Sequence, residues 1–314
     1  MYRREVLKKA ALFGAAAVAV RSVASAADSS TGKSATPAVT FPALHVPASG
    51  TLPVAFVIAK RAEVLDFAGP LEVFAGAGAT EGKQLFTPYM VAAAKEPVTV
   101  GAGMKVVPEY TFGTAPAPRV VVIPAMDLDD TGPEMYDWIR SVSKTTDVTM
   151  SVCNGAFVLA KTGLLAGKSA TCHHSGYFRF AGTYPDVHLK RGARFVVEGN
   201  LASAGGVSSG IDLALNVVDR YLGRDATLSL ADLLEYQGSG WLNPDSNVAY
   251  ARLPKFEEAH PICPVCLMNV DRSIKSTYKS KTYYFCASSE KEFFEQHLNV
   301  FDRFLMEDAA QSGK

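Results

Sequence analysis

Charge imbalance is the first thing this 314-residue sequence lacks: 31 lysines and arginines meet 31 aspartates and glutamates, for a formal net charge of zero. Without a cationic excess, and with no basic block after the first few residues, the chain offers nothing that tracks phosphates, so nucleic acid is excluded as an expected partner. No internal repeat is visible. The apolar stretch from Ala10 to Val20 falls short of the ~20 residues a membrane helix needs, so no stable membrane span is expected. Cysteine is scarce: five residues, Cys153, Cys172, Cys263, Cys266 and Cys286. An odd number in an oxidising compartment leaves at least one unpaired or bound to something. What the chain does have is apolar content, 48% hydrophobic residues, enough to bury a large core with room for one sizeable domain and a small one.

Arg3-Arg4-Glu5-Val6-Leu7-Lys8, the apolar stretch behind it, Arg21 and the small-residue site Ala24-Ser25-Ala26 resemble a twin-arginine export signal. The expectation is a cleaved signal over residues 1–26, a folded cargo delivered to the periplasm, and a polar, disordered spacer over 27–50. A cytoplasmic amphipathic helix is the alternative for the first segment.

From Thr51 apolar strand-like runs alternate with helical spacings. Strands are expected over 52–59, 86–93, 105–107, 120–124 and 148–152, with a hairpin joining 194–197 to 201–204 about Gly199-Asn200. Helices are expected over 70–77, with Pro70 in the first turn, and over 131–143, 207–222 and 228–236. The alternation predicts an α/β fold: a mostly parallel sheet sandwiched by helices, flavodoxin-like, over residues 51–236. Residues 237–258 are rich in Gly, Asn, Asp, Ser and Pro without a period, and read as a linker or pocket cover. A small cysteine-containing module follows over 259–303, then a tail over 304–314.

Cys153 ends a β-branched run and a helical pattern begins directly after it. That is the layout of a nucleophile elbow, in which small neighbours, here Ser151 and Gly155, let the thiol project from the carboxyl edge of a sheet. A helix N-terminus behind the sulfur favours thiolate and offers N–H groups to a developing anion. A buried packing cysteine fits the same pattern. Asp66 follows the first strand, in a loop at the same edge, where it can exchange a proton with the thiol; the helix N-cap role fits it as well. His173 falls where the chain has returned to that edge and can orient or deprotonate the thiol, or cap the short helix after it.

These segments together resemble the ThiJ/PfpI superfamily of class I glutamine-amidotransferase-like proteins, over about residues 52–223. Asp66-Phe67-Ala68-Gly69-Pro70-Leu71-Glu72-Val73-Phe74, the elbow around Cys153, Gly163-Leu164-Leu165-Ala166-Gly167, Ala170-Thr171-Cys172-His173 and Ala204-Gly205-Gly206-Val207-Ser208-Ser209-Gly210-Ile211-Asp212 carry the likeness. The most similar branch holds isonitrile hydratase and the effector-sensing halves of AraC-type regulators. The resemblance implies Cys153 as nucleophile, Asp66 as its acidic partner, His173 at the family's histidine position, and a substrate site contacted by the N–H groups of Gly69 and Asn154 beside Gly155. It implies no cofactor for the larger domain, and homodimers are common in the superfamily. Asn154 and His174 stand where relatives often carry other residues, so substrate identity does not transfer. No DNA-binding helix pair follows Tyr221.

Near the C-terminus, Cys263 and Cys266 lie in one turn and Cys286 some twenty residues on, a spacing that can hold one soft ion; His260, Glu290 or water is the candidate fourth ligand. Thr282-Tyr283-Tyr284-Phe285-Cys286 and the aromatic helix after it resemble a YHS domain, which implies a metal partner, copper or zinc. A Cys263–Cys266 disulfide is the alternative. Three functions therefore stand open: a cysteine hydratase/lyase adding water to a small isonitrile-like electrophile, with a glyoxalase- or deglycase-like activity on reactive carbonyls as the enzyme alternative; a small-ligand or redox sensor without turnover; and a metal-handling protein.

Overall fold

The computed structural model describes residues 41–79 and 82–312. The export signal and most of the spacer expected from sequence lie outside these residues.

Seven strands form one sheet in the order β10-β11-β7-β6-β1-β2-β5. They are β1 (Leu52–Val57), β2 (Phe86–Ala92), β5 (Tyr110–Thr111), β6 (Val120–Ile123), β7 (Val148–Val152), β10 (Phe195–Glu198) and β11 (Leu201–Ala204). Three small pairs stand apart among the described residues: β3 (Val98–Thr99) with β4 (Lys105–Val106), β8 (Ser169–Ala170) with β9 (His188–Leu189), and a C-terminal hairpin of β12 (Asp271–Tyr278) with β13 (Lys281–Phe285). All ladders of the main sheet are parallel except β10–β11, the hairpin turning at Gly199-Asn200. The central strands β6 and β7 are buried on both faces, VVVI and VTMSV, as continuous runs of a covered parallel sheet should be. Helices α1 (Val64–Gly76), α2 (Pro133–Val142), α3 (Gly155–Lys161), α4 (Tyr177–Thr183), α5 (Ser209–Leu222) and α6 (Arg224–Leu233) accompany them, and two apolar clusters form the core. The expected α/β class holds.

Three differences from the sequence reading matter. First, α1 begins six residues earlier than expected, so Asp66 lies in its first turn, not in a loop, and Pro70 sits inside the helix. Pro70 costs the ladder one N–H, but Phe67, Pro70, Val73 and Phe74 share a buried face, and that packing outweighs the lost bond. Second, part of the spacer is fixed to the large domain: Phe41, Leu44 and Val46 pack on the core, Leu44 N donates to Arg220 O at 2.7 Å, and Arg220 Nε donates to Pro42 O at 3.0 Å. Third, the tail over 304–312 is helical. It continues α8 (Leu298–Ser312), which follows β12 (Asp271–Tyr278), β13 (Lys281–Phe285) and α7 (Ser288–Gln296).

The C-terminal module shares its core with the large domain. Cys263, Val265, Tyr283, Phe285, Phe294, Phe301 and Phe304 belong to the same buried cluster as Phe157, Tyr177, Phe178 and Phe180. Phe178 of α4 is the pivot, with ring centroids 5.9 Å from Phe293, Phe294 and Phe301. Gly182 lets α7 come close, since a Cβ there would lie 2.7 Å from the Phe293 ring.

Candidate functional site

Cys153 adopts φ 58°, the left-handed region, which is costly for a residue with a Cβ and marks a strained turn. The turn is fixed on both sides. Its own N–H donates to the carbonyls of Ala204 (3.1 Å) and Gly205 (3.0 Å) at the end of β11. Behind it α3 is pressed against the end of β6, where a Cβ on Gly155 would collide with the Ile123 carbonyl oxygen and lie 2.8 Å from the Pro124 carbonyl carbon. Gly155 is thus a packing requirement of the elbow.

The Sγ receives backbone N–H groups of Asn154 and Val207 and interacts with the carboxyl of Asp66. Asp66 is fully buried, and its Oδ2 accepts from Ala125 N at 2.9 Å in the loop after β6. Its Oδ1 is buried without a nitrogen or oxygen partner, which leaves the thiol as the polar group facing the carboxyl. Burial pushes Asp66 up to about 7, the nearby Glu63 adds to the rise, and the Ala125 N–H and the thiol oppose it. Burial also pushes the Cys153 thiol up to about 12, with the Asp66 charge adding to the rise against the two N–H groups. This corrects the expectation of a resting thiolate. Cys153 is only 6% exposed, and desolvation outweighs a helix end contributed by a helix of seven residues. The resting pair is a thiol beside a carboxyl poised between its two states at neutral pH.

His173 precedes a short 3-10 turn (His174–Gly176) and caps it: Nδ1 accepts from Ser175 N at 3.2 Å and lies 2.7 Å from Ser175 Oγ. Burial, then the neighbouring His174, lowers it to about 4. At neutral pH the ring is therefore uncharged, with the proton assigned to Nε2 because Nδ1 accepts. It offers no cation to the thiol, and its side-chain hydrogen bonds among the described residues go to Ser175. Its ring instead lies against Gly206, where a Cβ would come within 2.6 Å of Cδ2. Gly69 differs from expectation too: it is the sixth residue of α1, where the N–H belongs to the helix ladder, and it faces Ile211.

A cleft of about 230 Å³ opens beside Val207, walled by Leu65, His173, Arg194, Ser208, Asn247 and Tyr250. Three of these walls carry no signal in the sequence. Arg194 is bound to buried Asp212 through Nε at 2.6 Å and reaches Asn247 Oδ1 through Nη1 at 3.2 Å. Its backbone N–H donates to Pro244 O at 2.5 Å. The aperiodic segment 237–254 is thereby tied to the large domain, with its own Trp241 buried and its Tyr250 stacked on His174 at 4.7 Å. The Gly205-Gly206 turn is the available signal for Val207: paired glycines at a strand end let the backbone turn so that the next N–H points at a neighbouring strand's terminus.

The second site is the cysteine triad. Cys263, Cys266 and Cys286 place their Sγ atoms within 4.8 Å of one another. Cys263 N donates to Met268 O (2.9 Å) and Leu267 N to Cys263 O (2.8 Å), and Leu267 at φ 60° completes a tight loop. A hydrogen bond with Cys266 pulls the Cys263 thiol below its ordinary value, helped by N–H groups of Cys286, Val265 and Cys266 against burial. Three sulfurs in this arrangement suit a soft ion. Neither His260 nor Glu290 joins the set among the described residues: His260 is exposed, and the Glu290 carboxylate pairs with Arg179 of α4 at 2.5 Å.

Comparison with known proteins bears on the large domain. Residues 53–220 match the DJ-1/PfpI family. Isonitrile hydratase of Pseudomonas putida is 30% identical over 67% of this chain and 83% of its own length. An HTH-type transcriptional regulator of Rhizobium meliloti is 23% identical over 71% of this chain and 68% of its own. Among solved structures, a ThiJ/PfpI family protein from Pseudomonas syringae superposes with a TM-score of 0.54 at 28% identity, covering 62% of this chain and 78% of that one. With its elbow cysteine, its buried carboxyl partner and the doubly covered parallel sheet that brings them together, this chain belongs to the DJ-1/PfpI family.

Proposed function

We propose that the chain is an exported cysteine-dependent hydratase or lyase, periplasmic by virtue of its leader, that adds water to a small isonitrile-like electrophile through Cys153. The observation that carries this reading is the Asp66 carboxyl, buried against the thiol and pushed up to about 7. A group titrating at the working pH is matched to take and return a proton. In the proposed sequence the thiol proton passes to the Asp66 carboxylate as Sγ bonds to the terminal isonitrile carbon, and Asp66 returns that proton to the same carbon. Water then adds there, a proton moves to nitrogen, and the carbon–sulfur bond breaks to release an N-substituted formamide and the thiol. The N–H groups of Asn154 and Val207 stabilise negative charge on sulfur as it develops, and neutral His173 lines the cleft as an Nε2–H donor. Turnover of a simple alkyl isonitrile, followed by formamide release, tests the reading; activity must vanish in Cys153→Ala.

A second reading is a ligand or redox sensor without turnover. It draws support from the thiol's protonated, nearly buried resting state and from transcriptional regulators among the relatives. A saturable ligand shift in a protein inert toward isonitriles and dicarbonyls would select it, whereas dicarbonyl turnover dependent on His173 would select a glyoxalase-like enzyme. At the triad we propose a YHS-like copper or zinc site, tested by metal content lost in Cys263→Ser/Cys266→Ser.

A further inference from the structure

We propose that Cys266 and Cys286 form a redox-modification site: a peroxide-class oxidant joins them in a disulfide while Cys263 stays reduced. The inference rests on the geometry of the triad and deepens the ion-binding reading of the same cysteines. The Cys266 and Cys286 sulfurs are 3.4 Å apart, and both residues are partly exposed, whereas Cys263 is fully buried. An oxidant arriving from solvent therefore meets one of the two outer sulfurs first. That sulfur attacks a peroxide oxygen as its thiol proton passes to the departing oxygen, the O–O bond breaks, and with hydrogen peroxide a sulfenic acid and one water result. The partner sulfur then displaces the hydroxyl, which leaves as a second water with the partner's proton, and the S–S bond forms. Two sulfurs lose one electron each, and the peroxide takes both. The two sulfurs already stand 3.4 Å apart, so reaching the ~2.05 Å of a disulfide closes a gap of little more than ~1 Å. The bridge spans 20 residues and removes two of the three donors, so ion binding and oxidation exclude one another.

The test is a peptide map. Full-length protein is stripped of ions with a chelator, treated with hydrogen peroxide, alkylated, digested and analysed by mass spectrometry. The expected product links the Cys266 peptide to the Cys286 peptide, with Cys263 alkylated, and the same link persists in Cys263→Ser. A Cys263–Cys266 link, a link through Cys153 or Cys172, or sulfinic acid on Cys266 without any link overturns the proposal. A sample equilibrated with zinc distinguishes the two readings. At least tenfold slower linking with zinc bound supports the exclusion, and an unchanged rate with zinc bound refutes it. Linking between Cys266 and Cys286 in a protein that binds neither zinc nor copper(I) removes the ion reading and upholds the disulfide.

Discussion

Replacing Asp66 by asparagine separates catalysis from stability, and the two should move in opposite directions. The Asp66 carboxyl titrates near 7 in the folded protein against 3.8 for an unperturbed group. A raised acid favours the protonated form on folding, so its stability contribution is complete below the unfolded value and is lost as pH rises through the folded one. Three pKa units correspond to ~4 kcal/mol of destabilisation once the group is ionised in the native state. The substituted amide keeps the shape of the carboxyl and an acceptor for Ala125 N but cannot ionise. Asp66→Asn should therefore unfold like the wild type at pH 4 and be more stable at pH 8, by up to ~4 kcal/mol, or about 10 °C in Tm for a chain of this size. The variant thiol should also titrate lower, because the Asp66 charge is one cause of its rise. Hydration should nevertheless fall 10²- to 10⁴-fold, the usual loss for a missing proton carrier. Urea unfolding at the two pH values, alkylation of Cys153 against pH, and isonitrile turnover read all three effects. A stability difference between variant and wild type that is the same at pH 4 and pH 8 would refute the buried, half-protonated carboxyl on which the proposed mechanism depends.

Other perturbations test the surroundings. Gly155→Ala must push α3 away from the Ile123 carbonyl; it should cost ~3 kcal/mol or more in denaturant unfolding and disorder the elbow, whereas Gly199→Ala, facing open space but at φ 66°, should cost only the ~1 kcal/mol of a left-handed Cβ. Tyr250→Ala removes the ring stacked on His174 at the cleft wall, and alkylation of Cys153 by a bulky maleimide should accelerate several-fold with little change for a small reagent. Arg179→Ala breaks the pair with Glu290 and should free that carboxylate beside Cys286, altering zinc affinity measured by competition with a chromophoric chelator without touching the thiols. Lowering pH from 7 toward 4 charges a buried His173 whose pKa is depressed to about 4; stability lost over that window should shrink in His173→Gln.

The elbow and its acidic partner are legible because their signals are local. A β-branched run, a thiol, a small residue and a helical pattern occur within a dozen positions, and the hairpin at Gly199-Asn200 announces itself by its glycine. Asp66 is legible as a partner but not as a helical residue, since Pro70 reads as a helix opening; only the buried face it shares with Phe67, Val73 and Phe74 shows why the helix runs through it. The ionisation of the thiol is not legible at all. Sequence displays the helix end that lowers it, while the enclosing walls and the Asp66 charge that raise it come from segments far apart in the chain. Arg194, Asn247 and Tyr250 stay hidden for the same reason: an aperiodic stretch reveals its anchors only when the arginine that binds it is seen in place. The triad's spacing is plain, but His260 as a ligand is an inference from proximity in sequence that the folded loop does not support.

The aromatic seam around Phe178 makes the last fifty residues a wall of the large domain rather than an appendage. Trimming the gene to the end of the family match at residue 220 would strip α4 of its covering rings and leave a sticky apolar scar directly behind the histidine pair. Anyone seeking a minimal fragment for biochemistry should expect an insoluble product, and anyone swapping this module onto another relative would need to transplant Phe178, Arg179 and Gly182 along with it.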